Sequence, residues 1–114
     1  MALTACAPIE DDIFTQARIT VTAGDDQAVT RVQAQVKLTN VNTRQVTTVA
    51  DFDGASVTVE VLRGAYQIDI EGVATCQLAG GAAPRVRQFR CQSDYVELVR
   101  QETNELSLNM IFLD

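Results

Sequence analysis

Three cysteines, at positions 6, 76 and 91, and three arginines, at positions 85, 87 and 90, are the residues of this chain whose type and spacing suit particular chemistry. Leu3-Thr4-Ala5-Cys6 matches a lipobox position by position: small residues ahead of the cysteine fit a signal peptidase, and the thiol then receives a diacylglycerol. Only Met1 and Ala2 stand ahead of Leu3, so the basic and apolar segments of a full signal peptide are missing and the start reads as truncated. An odd cysteine count suits an exported chain when one cysteine has a separate task. The alternative for Cys6 is an unpaired thiol on a frayed N-terminus.

Cys76 and Cys91 sit symmetrically about Ala83-Pro84, each beyond a strand-like stretch, and are expected to face each other across a hairpin. A disulfide there would close a loop of about 15 residues and stabilise by roughly 3 kcal/mol through the lost freedom of the unfolded chain. The alternative is two buried thiols acting as small apolar side chains. Between them, Arg85, Arg87 and Arg90, with Phe89 among them, form a basic tip suited to an acidic partner or a carboxylated glycan, because guanidinium groups pair bidentately with carboxylates. The alternative reading places Arg85 and Arg87 on one solvated strand face and Arg90 on the other.

The rest of the composition excludes more than it assigns. A formal charge of −6 argues against nucleic-acid binding, which needs a basic face to neutralise phosphates. The chain has no histidine, so it holds no Ser-His or Cys-His nucleophile pair and lacks the commonest metal ligand. Asp25-Asp26 and the pair Asp51 and Asp53 are carboxylate clusters, the second followed by Gly54. A calcium loop begun at Asp51 would need a bidentate Glu at its twelfth position, where Leu62 stands, so turn chemistry explains these residues better. No cofactor motif is present, no tryptophan is available to stack a sugar ring, and the chain is expected not to be an enzyme.

These residues need a framework, and the polar and apolar positions supply it. Arg18 to Thr22 and Val32 to Leu38 alternate at the period of half-buried strands. Asn40 to Arg44 is a turn-rich break, Gln45 to Phe52 a third strand, and Asp53-Gly54 a hairpin-type turn. Val57, Val59 and Val61 point one way, and Arg63-Gly64 turns the chain into Tyr66, Ile68 and Ile70 as a second hairpin. Val86 to Cys91, Tyr95 to Val99 and Leu106 to Phe112 complete the set, with no helix. The expectation is an all-β fold, an antiparallel β-sandwich of about seven strands over residues 16–114, behind a leader over residues 1–15. The apolar run Ile111-Phe112-Leu113 at the end suggests a longer protein continuing past Asp114.

Val36 to Asn40, Gly54, Val57 to Val59 and Leu62-Arg63-Gly64-Ala65-Tyr66-Gln67-Ile68 together resemble the transthyretin-like family that includes carboxypeptidase regulatory-like and Cna-B-type modules. Gly54, Leu62, Gly64 and Tyr66 fill the turn and strand-start positions of its motif, over about residues 16 to 112. With the lipobox and the acidic residues Glu10, Asp11 and Asp12 behind it, the whole resembles the N-terminal domain of a Bacteroidetes outer-membrane lipoprotein, and more distantly a fimbrillin. The resemblance implies a binding, docking or spacer module on the cell surface, anchored by lipid at Cys6 and meeting an outer-membrane protein or a surface ligand. The alternative it implies is a pilin-like subunit that exchanges its last strand, Leu106 to Leu113, with a neighbour. The cysteine pair is not needed by the family pattern and marks the hairpin between Cys76 and Cys91 as particular to this protein.

Overall fold

A computed structural model describes residues 13–24, 27–78, 80, 83–100 and 102–113. The chain folds as an all-β sandwich of eight strands: β1 (Phe14–Thr22), β2 (Gln27–Asn40), β3 (Val46–Val49), β4 (Ser56–Leu62), β5 (Gly64–Leu78), β6 (Arg85–Leu98), β7 (Thr103–Asn109) and β8 (Ile111–Phe112). A three-stranded sheet in the order β4-β1-β7 packs on a five-stranded sheet in the order β3-β2-β5-β6-β8. The strict alternation in the sequence produces this directly. Ala17, Ile19 and Val21 of β1 and Val57, Val59 and Val61 of β4 point inward and are buried. From the facing sheet Val36, Leu38, Tyr66, Ile68, Ile70, Phe89 and Leu98 meet them. The intervening Thr, Gln, Glu and Arg side chains stay in water.

Two turns expected to close hairpins carry the chain between the sheets instead. β3 lies in the large sheet and β4 in the small one, so Asp53-Gly54 sits on a crossing. There the Asp53 and Ser56 backbones exchange hydrogen bonds of 2.7 and 3.1 Å around Gly54, whose φ is +63°. Arg63-Gly64 likewise leads from β4 in one sheet to β5 in the other. The last expected strand also divides: β7 pairs with β1, and after Met110 the chain crosses to pair β8 with β6 at Phe89 and Arg90. The sandwich is not wholly antiparallel, because β1 and β7 run parallel from Gln16↔Thr103 to Thr22↔Asn109. Val86–Cys91 and Tyr95–Val99 merge into the single β6, with Asp94 and Tyr95 forming a bulge opposite the Tyr66–Ile68 step.

Polar groups lock the junctions. The Tyr66 hydroxyl donates to the Leu62 carbonyl at 2.7 Å, tying the start of β5 to the end of β4 across Gly64. Asn40 Oδ1 accepts from the backbone N–H groups of Asn42 and Thr43, both at 2.9 Å, which holds the turn into β3. Asn104, 4 % exposed, donates from Nδ2 to Thr15 Oγ1 and to the Gln16 carbonyl, both at 2.9 Å. Thr15 Oγ1 in turn donates to the carbonyls of Arg100 and Glu102, so β1 grips the loop between β6 and β7. Replacing Asn104 by Ala strands these buried partners, and urea denaturation is expected to show a loss of about 2 kcal/mol.

Candidate interaction surfaces

The hairpin of β5 and β6 carries most of the residues singled out by the sequence, and its register redistributes them. Cys76 stands opposite Arg85, and Cys91 stands opposite Ile70. The hairpin is thus centred three residues before Ala83-Pro84, beside Gly80, which takes a φ of +92°. The cysteines end up six residues apart along the ladder, about 20 Å at the rise of a strand. A disulfide needs Cα atoms within about 7 Å, so the expected bridge between Cys76 and Cys91 is not formed. Both side chains are inward, each 1 % exposed, and belong to the core.

Burial pushes the Cys91 thiol up to about 11 from 9.0. The native state therefore holds this proton over a range where the unfolded chain releases it. Stability contributed by the thiol is complete below about pH 9 and is lost as the pH rises from 9 to about 11. A Cys91→Val variant is expected to flatten that fall in denaturation midpoints. Iodoacetamide at about pH 8 is expected to label Cys76 and Cys91 only after unfolding; an absence of thiols in the unfolded chain would restore the disulfide.

The basic tip also separates. Phe89 is 0 % exposed and is the largest fully buried side chain, so it supports the core rather than a partner. Arg87, on the same face, lays its guanidinium over the Phe112 ring at 3.8 Å from the centroid. Arg85 is exposed nearer the hairpin end. Arg90 points to the opposite face, donates from Nη2 to Gln92 Oε1 at 3.0 Å, and stands across the ladder from Glu71. One partner surface cannot engage all four residues, because alternation sends Arg90 one way and the others the other way. Cys6 and Asp25-Asp26 lie outside the described residues.

The surface clefts are shallow and built from sheet faces or edges. On the small sheet Asp51 and Asp53 border a depression of about 470 Å³ with Arg18, Ser56 and Thr58. Among the described residues no group of three or more His, Cys, Asp or Glu side chains is placed to hold a metal ion. Beside the edge of β4 a groove of about 250 Å³ is floored by Phe14, Val61 and Tyr66. On the solvent face of the large sheet Gln35, Lys37, Asp69 and Glu71 line a depression of about 240 Å³.

That last site combines charge of both signs on three adjacent strands. Lys37 of β2 stands opposite Asp69 of β5, which stands opposite Gln92 of β6. One row on, Gln35 faces Glu71 and Glu71 faces Arg90. Two carboxylates are thus flanked by two cations and two amides on a rigid face, an arrangement that can hydrogen-bond a polar ligand from several directions at once. Sequence reading missed it because each strand shows only ordinary polar positions. The signal exists only once β2, β5 and β6 are brought side by side in this register. Comparison with family models, with curated proteins and with solved structures finds no match.

Proposed function

We propose that this chain is a non-catalytic binding or docking module, and that the solvent face of the five-stranded sheet around Gln35, Lys37, Asp69 and Glu71 is its contact surface. The observation that carries the reading is the pair of rows across β2, β5 and β6 in which each central carboxylate is flanked by one cation and one amide. Charged and amide groups held on paired strands give an orientation-specific polar surface at little conformational cost, which suits recognition of a polar surface or saccharide. The clefts described among these residues are open and shallow, a form that suits contact with another surface.

We place the module on the cell surface of an outer membrane, anchored through a lipid on Cys6. Support for this comes from the Leu3-Thr4-Ala5-Cys6 motif and the acidic Glu10-Asp11-Asp12 behind it. Support for the transthyretin-like relationship comes from the sequence positions Gly54, Leu62, Gly64 and Tyr66 that match its motif. The pilin-like reading has less behind it, since β7 and β8 are already paired with β1 and β6 of their own chain.

One experiment tests both parts. The native protein is purified from membranes in mild detergent, its N-terminal peptide is analysed by mass spectrometry, and its co-purifying partner is compared with that of a Lys37→Glu/Glu71→Lys variant. A diacylated Cys6 and a partner lost in the variant are the expected results. An unmodified Cys6 in a soluble fraction removes the anchor, and a partner retained at full yield removes the proposed face.

A further inference from the structure

We infer that the outer edge of β4 is an association edge for a second copy of this chain, joining two small sheets into one continuous sheet in which the two β4 strands run antiparallel about a two-fold axis at Val59. This goes beyond the binding face proposed above and does not depend on it. Every two-sheet sandwich leaves strand edges with unpaired backbone groups, and proteins blunt them by shortness, bulges or charge. The other edges among the described residues are so protected. β3 and β8 span four and two residues. The part of β2 not covered by β3 carries a register shift between Val29 and Arg31. The part of β6 not covered by β8 carries the bulge at Asp94 and Tyr95. Beside the edge of β7 lie Glu97, Arg100 and Glu105, with Glu102 of the adjoining loop paired to Arg100 at 3.5 Å, so three carboxylates against one guanidinium leave that edge acidic and two copies meeting there would bring net negative charge together.

β4 keeps fewer of these devices: a single charge, and the pairing of its first residue, Ser56, with Asp53 of the preceding turn. Its seven residues pair regularly with β1 from Leu62 to Ser56, without a bulge, a proline or a cation, and its only charged residue is Glu60. Gln45 and Thr47 on the β3 side and Glu60 and Leu62 of β4 line one groove, and β3 approaches β4 there without forming a ladder with it.

The sequence of β4 is complementary to itself in one register. With Val59 on the axis, Val57 meets Val61 of the second copy on the inward side, and Val59 meets its equivalent, which extends the row of buried valines. On the solvent side Thr58 meets Glu60 of the second copy, so the carboxylates do not oppose each other. Arg18 is the β1 neighbour of Thr58. In the joined sheet Arg18 therefore faces Glu60 of the second copy across the short Thr58, two strand spacings or about 10 Å between backbones, within reach of an Arg–Glu pair. The symmetry makes this contact twice. Within one chain Arg18 makes a long 3.9 Å contact to Glu105, with both side chains more than half exposed, and is available for the second copy.

The test is sedimentation over a concentration series on the wild type, on Glu60→Arg and on Arg18→Glu/Glu60→Arg. Both substituted positions, Arg18 and Glu60, are exposed, and circular dichroism checks that each variant keeps the fold. A monomer–dimer equilibrium is expected with a dissociation constant in the micromolar to sub-millimolar range, about tenfold weaker in Glu60→Arg and recovered in the double variant. Any of three results overturns the inference: a chain that stays monomeric to about 1 mM, which leaves the edge to a strand of another protein; a dimer indifferent to Glu60→Arg; or an open ladder of higher species.

Discussion

Replacing Gly72 by Ala is expected to lower stability by at least about 3 kcal/mol, with a fall of about 15 °C or more in the thermal midpoint followed by circular dichroism. Gly72 lies in the middle of β5 with Ala34 of β2 on one side and Phe89 of β6 on the other. A Cβ at this position would stand 2.5 Å from Ala34 Cβ and closer still to Ala34 Cα and the Gln33 carbonyl oxygen. Two of those atoms are backbone, so no rotamer change relieves the overlap and the ladder between β2 and β5 would have to open. Gly72 is therefore required by close approach, not by an unusual φ. A Gly72→Ala variant as stable as the parent would show that β2 and β5 do not meet as closely as described.

Truncating Phe89 to Ala is expected to cost about 3–5 kcal/mol in urea denaturation, close to the largest loss a core substitution produces. The ring is wholly buried, and Phe89 stands opposite Gly72 of β5 on one side and Phe112 of β8 on the other. Removing it leaves a void that rigid strands cannot collapse into. A domain of this size holds about 5–15 kcal/mol in all, so the variant is expected to be marginal at about 37 °C, while Phe89→Leu should lose much less. Stability unchanged with binding lost would instead return Phe89 to the partner-contact role that its place among arginines suggests.

Gly72 and Phe89 show what one-dimensional reading can and cannot reach. The alternation of Val57, Val59 and Val61, of Arg18 to Thr22 and of Val32 to Leu38 was legible because inward and outward positions recur every two residues in any half-buried strand. The Asp53-Gly54 turn and the role of Tyr66 at a strand start were legible for similar local reasons. The stretch after Ile70 was not. A large apolar period that stops at Ile70 gives no sign of the eight residues by which β5 continues to Leu78, because two of the following inward positions are the small residues Gly72 and Ala74. Centring the hairpin on Ala83-Pro84 is what pairs Cys76 with Cys91, and nearness in sequence is what gathers Arg85, Arg87, Phe89 and Arg90 into one tip.

By itself the sequence determined that this protein is all-β, which side chains of β1, β2 and β4 face inward, and that histidine-based catalysis is closed to it, because these depend on residue type and on a period of two. Only the tertiary structure decided which turns are hairpins and which cross between sheets, that β7 lies parallel to β1, and that Lys37, Asp69, Glu71 and Arg90 share one face. Those are matters of which strands pair and in what register. They are settled by burial summed over residues far apart in the chain, where a shift of one position would turn every side chain to the other side.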